Sequence, residues 1–323
     1  MYLKGKKILF IGPEFYNYHN DIIDEMVLSG AEVDYFPEIL NTINYRFSKS
    51  YFQHYRILLE KRYLENLFRN LQENYDYFFL IRGEIISNSF LEKLKIKMPQ
   101  AKFIMYQWDS SKNNPNYLKI LPHFSKIMTF DMVDSKEKEI EYLPLFYTKE
   151  YENLILNIKR DYDIVFFGAY HSDRLQIVKE LYQQCLYLGL KFHFVIYITK
   201  MAFLVRILNG TLSIKDYNYM TFQPVNKSMI LSIYEKTKAV LDIESIGQNG
   251  LTIRTFEVLG ASLKLVTTNT RIKNEPFYNV NKILLLERGS EKKMDLKFFH
   301  QENSLDDCIK RYSLSQWLKK VFT

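Results

Sequence analysis

Two α/β domains, each a parallel sheet covered by helices, are what this sequence predicts. Three observations carry that prediction. Short β-branched or aromatic runs alternate with helix-periodic segments along most of the chain, the pattern produced when parallel strands are joined through helices. The alternation stops at Thr148 to Asp161, a charged segment with no strand pattern, and resumes at Tyr162. A length of 323 residues also exceeds what one core commonly holds. The expected domains are therefore 1–150 and 151–303, with 304–323 as a helix that returns to the first.

In the first domain, strand Lys6 to Gly12 is followed by the loop Pro13 to His19 and a helix from Asn20 to Ser29, which stops at Gly30. Glu32 to Phe36 is the second strand. A basic helical region over 48–73 leads to the third, Tyr77 to Ile81, ending at Arg82-Gly83-Glu84. A helix near 87–97 precedes strand four, Lys102 to Gln107, which ends in Trp108-Asp109; Ser125 to Thr129 and Tyr142 to Leu145 complete the sheet. Ligands of such sheets bind beyond the carboxyl ends of the strands. The loops of interest are therefore Glu14 to His19, Arg82 to Glu84, Trp108 to Ser111 and Phe130 to Asp134.

The second domain opens with Tyr162 to Gly168, a buried-type strand, and Ala169 to Arg174 leads into a helix reaching Leu188 with Ser172 or Asp173 as N-cap. Strand Phe192 to Tyr197 follows. The apolar piece Met201 to Leu208 reads either as a helix packed on the sheet or as a lip of the cleft. Phe222-Gln223-Pro224-Val225-Asn226 opens a helix over 227–236, and Ile283 to Leu286 is the final strand. Ser304 with Asp307 forms a capping-box-like start, with Asp in place of Glu, for a last helix to Phe322.

Residues 242–269 are the most informative stretch. The strand Ala239 to Ile243 enters a polar loop with Gly247 and Gly250; a helix marked by Ile253, Phe256 and Leu259 follows, then the strand Leu263 to Thr267. Such a loop suits an anion. Glycines let the backbone approach, the first helical N–H groups have no partner within the helix, and the dipole turns its positive end to the ligand. Thr252 and Arg254 can add side-chain contacts, and Glu257 lies one turn beyond Arg254, where a carboxylate can accept two hydrogen bonds from vicinal hydroxyls. The plain alternative is an ordinary βαβ unit with a glycine-rich turn, Arg254 and Glu257 merely pairing on its surface.

The pattern Gln248-x-Gly250-Leu251-Thr252-x-Arg254-x-Phe256-Glu257-x-Leu259-Gly260, followed by Lys264-Leu265-Val266-Thr267-Thr268-Asn269, resembles the donor-site segment of bacterial two-domain (GT-B) glycosyltransferases. The nearest subgroup comprises polysaccharide and lipopolysaccharide biosynthesis proteins related to the spore-maturation-type glycosyltransferases. The resemblance implies two Rossmann-like domains facing a cleft, the C-terminal one holding a nucleotide sugar and the N-terminal one a glycan or lipid-linked acceptor. It gives Gly250, Leu251 and Thr252 the diphosphate and Glu257 the ribose. It also places the loop after Gly168 opposite the donor phosphates, with Arg174 neutralising them, and puts the nucleotide base near Phe222 and Gln223. Arg174 solvated on its first helical turn, and Phe222 as core, are the alternatives. Many retaining relatives carry an acid eight positions before the ribose glutamate; Asn249 stands there in this chain, which leaves the stereochemical outcome open.

Sugar transfer needs the leaving phosphate stabilised and, for inversion, a base for the acceptor hydroxyl. Asp109, His19 and Glu14, all at strand ends of the first domain, are the base candidates in that order. Structural alternatives stand beside them: Asp109 capping the turn at Ser110-Ser111, His19 capping the first helix, and, nearby, Glu84 pairing with Arg82. No His-x-x-x-His and no paired cysteines appear, so no metal and no cofactor besides the sugar donor is expected. The glycine motifs of P-loop kinases, simple dehydrogenases and serine hydrolases are absent, which argues against those classes. A metal-independent hexosyltransferase-like enzyme of capsule, lipopolysaccharide or exopolysaccharide synthesis is the expected function. A nucleotide-sugar 2-epimerase of the same architecture and a non-catalytic glycan-binding scaffold are the alternatives.

The formal charge of +7 favours polyanionic or membrane-surface partners. No nucleic-acid partner is expected. Over 45–69, six basic residues face two acids and are interleaved with Tyr45, Phe47, Tyr51, Phe52 and Tyr55, which reads either as an interfacial membrane patch or as a solvated helix face. With no leader ahead of the first strand and no apolar run long enough to span a bilayer, the expected location is cytoplasmic, with peripheral contact at the inner face of the membrane. Cys185 and Cys308 are expected as buried, reduced thiols in helices.

Overall fold

The computed structural model describes residues 1–39, 42, 45, 52–289, 294–300 and 307–323. The chain forms two compact units, Met1–Pro144 together with Leu314–Thr323, and Leu145–Ser313. The division after Pro144 precedes the linker expected at Thr148 to Asp161, because Leu145, Phe146 and Tyr147 are already buried in the second unit.

In the first unit the strands are β1 (Lys7–Gly12), β2 (Glu32–Pro37), β3 (Tyr77–Ile81), β4 (Lys102–Gln107), β5 (Lys126–Thr129) and β6 (Glu141–Tyr142). Their order is β2-β1-β3-β4-β5-β6 and every pairing is parallel. The helices are α1 (Tyr18–Leu28), α2 (Gln53–Asn70), α3 (Asn88–Lys97) and α4 (Met132–Lys138). Ile8 to Ile11 and Phe78 to Ile81 are fully buried, which is why these strands read as unbroken apolar runs and not as alternation. The expected loop Phe130 to Asp134 is in fact the start of α4, capped by Asp131 Oδ1, which accepts from the amides of Val133 (2.8 Å) and Asp134 (3.2 Å).

The second unit holds α5 (Lys149–Glu152), β7 (Tyr162–Ala169), α6 (Arg174–Leu188), β8 (Phe192–Tyr197), α7 (Lys200–Leu208), β9 (Met220–Thr221), α8 (Lys227–Tyr234), β10 (Thr237–Asp242), α9 (Ile253–Gly260), β11 (Lys264–Thr267), β12 (Ile283–Leu285) and α10 (Leu296–His300). Its sheet, again parallel throughout, runs β12-β11-β10-β7-β8-β9. Cys185 is buried on α6, whereas Cys308 is part-exposed and not the buried thiol expected.

One long terminal helix was the expectation, and the structure corrects it. Asp307–Tyr312 is a 3-10 turn of the second unit, and only α11 (Leu314–Phe322) belongs to the first; Ser304, the expected cap, lies outside the described residues. Tyr312 packs on Phe256 and Phe277 at centroid distances of 5.3 and 5.1 Å. Trp317 packs on Tyr106 at 4.7 Å. In α11 the buried residues Leu314, Trp317, Leu318, Val321 and Phe322 fall at helical spacing on one face. The two cores claim opposite ends of the segment, so it breaks at Ser313.

Candidate functional site

In the second unit, β10 ends in Asp242, a residue only 2% exposed. It accepts hydrogen bonds from Thr252 Oγ1 (2.7 Å) and Thr255 Oγ1 (3.1 Å), pinning the first turn of α9 to the strand end. Thr252 occupies the N-cap position, yet its hydroxyl is taken by Asp242 and no side chain caps α9. The helix start therefore presents amides to the loop, with the positive end of the dipole behind them.

The loop is braced from within. Gln248 Nε2 donates to the Gly250 carbonyl at 3.0 Å, Asn269 Nδ2 reaches the same oxygen at 3.3 Å, and Leu251 is buried beneath them. Gly247 has φ 82°, a conformation that favours glycine. Arg254 is part-buried and donates from Nη1 to Tyr234 Oη at 3.2 Å. Burial opposes its charge, but Tyr234, Glu257 and Asp242 outweigh that and raise its pKa. Glu257, 3% exposed, lies within the field of this guanidinium. Gln248, Gly250, Leu251, Thr252, Arg254 and Glu257 are thus gathered around one helix start.

Arg174, the residue expected to neutralise the donor phosphates, stands at the carboxyl edge of the second sheet. Its Nε and Nη2 donate to the main-chain carbonyl of Ile243 at 2.9 and 2.7 Å, and Nη1 to that of Ala169 at 3.2 Å. Arg174 therefore ties the end of β7 to the end of β10. Gly168 makes room for it: an added Cβ would stand 3.2 Å from Arg174 Nη1 and 2.7 Å from Phe166 Cζ. Asp173 holds the N-cap position of α6 without capping it, because its carboxylate binds Arg288. His171 sits in the same loop. Burial, reinforced by the nearby Arg174 charge, pushes its pKa down to about 4, so the ring is neutral at pH 7.

Arg288 was not found from the sequence. Besides Asp173, it meets the Glu244 carbonyl (2.7 Å), Glu244 Oε1 (3.0 Å) and Thr268 Oγ1 (3.3 Å). Phe222 and Gln223 follow β9, three strand spacings from β10, roughly 14 Å. Phe222 packs against Phe203 and Tyr217 at 5.5 and 5.3 Å, while Gln223 is exposed. A cavity of about 50 Å³ is lined by Ile177 and Leu181 of α6, Thr268 after β11, Leu284 of β12 and Met294 beyond it, rather than lying over the α9 start.

In the first unit, Glu14, His19 and Asp109 all stand at the carboxyl edge of the sheet. Trp108 packs on Phe15 at 6.3 Å and on Tyr18 at 5.9 Å, which brings the loops after β1 and β4 together. Glu14 is exposed. His19 lies inside α1 and does not cap it; its ring stacks on Tyr35 at 5.2 Å. Asp109 Oδ1 accepts from the Ser110 amide and Asn113 Nδ2, both at 3.0 Å, and Oδ2 is 3.9 Å from Arg82 Nη2, which pairs with Glu84 at 2.6 Å. The turn-capping alternative for Asp109 and the Arg82–Glu84 pair are both present.

Glu38 was also missed. Fully buried after β2, it accepts from the amides of Glu84 and Ile85 through Oε1. The buried atoms His19 Nδ1, Glu38 Oε2, Arg82 Nε and Gln107 Oε1 lack a hydrogen-bond partner among the described residues, and Arg82 has the strained φ of 83°. Among the described residues no group of three or more His, Cys, Asp or Glu is disposed to hold a metal.

No family model matches the chain, and no curated protein matches its sequence. Solved structures do match. A glycosyltransferase from Rickettsia africae is 13% identical and aligns over 98% of this chain and 96% of its own, with a TM-score of 0.58. Anabaena HepE, solved with UDP-glucose, is 10% identical over 98% of both chains at 0.58. The chain has the GT-B fold. The UDP-GlcNAc 2-epimerase of Methanocaldococcus jannaschii, solved with UDP-GlcNAc and UDP, shares it at 10% identity and TM-score 0.56, over 98% of this chain and 99% of that one. In GT-B terms the α9 start belongs to the C-terminal unit, and Glu14, His19 and Asp109 belong to the N-terminal one.

Proposed function

We propose that the protein is a glycosyltransferase that moves a sugar from a nucleoside-diphosphate donor to a glycan or lipid-linked acceptor in bacterial surface polysaccharide synthesis. The observation that carries this reading is the α9 start, uncapped by any side chain and backed by Arg254 and buried Glu257. Amides of Gly250, Leu251 and Thr252 receive the diphosphate, Arg254 adds positive charge as the leaving group departs, and Glu257 accepts the ribose hydroxyls. Arg174, which also ties the ends of β7 and β10 together, helps neutralise the donor phosphates. Phe222 and Gln223 serve the base, and no metal takes part. For the acceptor, Asp109 takes the proton, its Oδ2 lying 3.9 Å from Arg82 Nη2, with His19 and Glu14 as the other candidates. The protein works at the inner face of the membrane, where the exposed Phe52 and Tyr55 of the 45–69 region contact it; residues 46–51 lie outside the described residues. Among the described residues no helix is long and apolar enough to cross a membrane.

Thermal-shift and calorimetric titration with UDP, GDP, CMP, dTDP and their sugar conjugates, with and without a chelator, tests the donor site. One preferred nucleotide, bound without metal, is expected. Glu257→Ala should weaken that binding by about 1–3 kcal/mol. Binding of none of them would remove the donor site and favour a glycan-binding scaffold. The epimerase likeness supports a second reading, separable by incubation with the sugar donor alone: an epimerase changes the sugar without an acceptor.

A further inference from the structure

We propose that α7 and the 3-10 turn after it form a docking surface for an anionic lipid bilayer, separate from the 45–69 region. The helix is apolar on both sides. Phe203 is buried in the core of the second sheet and Leu212 anchors the following turn. On the opposite side Met201, Leu204, Val205 and Leu208 recur at helical spacing and are exposed, Met201 by 71% and Leu208 by 78%. Ile214 and Tyr217, in the following turn Ile214–Tyr219, add exposed apolar side chains beside α7. A helix apolar all round is normally buried. Nine residues, about 14 Å of helix, are far too few to span a bilayer, so the face that remains suits a helix lying in the interface plane.

Charge selects the occupant. Lys200, Arg206 and Lys215 are exposed around the apolar face. Between Lys200 and Tyr219 the sole acid is Asp216, which is buried and paired with Lys179. The rim is therefore positive with no exposed acid of its own segment to offset it, complementary to anionic headgroups. A second copy of the chain is a poor occupant, because a two-fold contact through this face would set the three cations of one copy against those of the other. Arg206 also lies over the Tyr170 ring at 5.6 Å, at the end of β7. The surface thus borders the end of β7, the strand next to β10, whose end carries the donor loop.

Co-sedimentation of the full chain with vesicles tests this, comparing phosphatidylcholine alone with phosphatidylcholine containing about one third phosphatidylglycerol. The protein should partition onto the anionic vesicles, and less so as salt rises. Leu204→Ser with Leu208→Ser, and separately Lys200→Glu with Lys215→Glu, should each reduce binding about tenfold while leaving the melting temperature and nucleotide binding unchanged. Tyr55→Ser with Leu58→Ser on α2 should lower binding on its own account, and combining it with the α7 changes should lower it further. The proposal is overturned if the protein ignores anionic vesicles, if the α7 variants bind as well as the parent, or if only the α2 variant loses binding. Sedimentation equilibrium showing a dimer that the Leu204→Ser/Leu208→Ser change dissociates would overturn it in favour of a second copy. Vesicle binding is read without donor or acceptor, so its failure and that of the transferase reading are distinguishable.

Discussion

Arg288 and Asp173 form an ion pair across the carboxyl edge of the second sheet, with Nη1 2.6 Å from Asp173 Oδ1. The same guanidinium reaches Glu244 and Thr268, so one residue beyond β12 holds the loops after β7, β10 and β11. Asp173 and Glu244 would be left facing each other's loops without this cation.

Arg288→Ala should therefore destabilise the second unit by about 1.5–3 kcal/mol, the scale of hydrogen bonds to charged groups, and loosen nucleotide binding with it. Arg288→Lys should recover little, since a single ammonium cannot reproduce the fork. Urea unfolding of both variants checks this. A lysine variant as stable as the parent would show that charge alone suffices.

Asp242→Ala should cost about 1–3 kcal/mol by the same method, because two hydroxyls, of Thr252 and Thr255, lose their shared acceptor at a buried position. Asp242→Asn retains one acceptor oxygen and should cost less. If the pinned first turn is what keeps α9 ready for an anion, nucleotide affinity should fall in the order parent, Asn, Ala. Affinity unchanged in the alanine variant would uncouple the strand end from the loop.

Strands β3, β4 and β8 and helix α6 lie where the sequence places them, residue for residue, because burial on both faces of a parallel strand leaves an unbroken apolar run and a covering helix leaves a periodic one. The α9 loop was equally legible, its glycines and charges being contiguous. What escaped was long-range. Arg288 meets Asp173 across 115 positions, and Glu38 meets Glu84 across 46; no local period marks such pairs. Arg174 was recognised as lying near the site, but nothing in its neighbours reveals that the Ile243 carbonyl sits within reach of its guanidinium. The break at Ser313 was hidden for a similar reason, since helical letters continue through a point where the two units divide the segment.

Glu38 predicts a pH dependence for the first unit. Burial pushes its carboxyl up from the ordinary 4.5 to about 8, against the pull of Arg82. The folded chain thus holds a proton that the unfolded chain releases. The stabilising contribution is complete below pH 4.5 and is lost as pH rises through about 8. Glu38→Gln keeps an acceptor for the Glu84 and Ile85 amides and has no proton to lose. Its stability relative to the parent should improve from pH 5 to pH 8 by an amount on the order of a few kcal/mol. Parallel stability curves for the two proteins across that range would mean that Glu38 is already ionised at pH 5.

Gly260 ends α9 against the ring of Tyr147, and an added Cβ would stand 2.5 Å from Tyr147 Cγ. Two effects of Gly260→Ala compete. Alanine favours the helix by about 1 kcal/mol, whereas overpacking a filled core costs about 1–3 kcal/mol. The contact should win, because Tyr147 is buried and its amide is tied to the Tyr312 carbonyl at 3.0 Å, so the ring has little room to retreat. Net destabilisation is expected, seen as a lower urea midpoint. Tyr147→Leu removes the ring and leaves space for the methyl group, so the alanine should cost less in that background than in the parent. A double-mutant cycle should give a favourable coupling of about 0.5–3 kcal/mol. Additive effects would mean that the glycine is required by the backbone at the helix end rather than by the ring beside it.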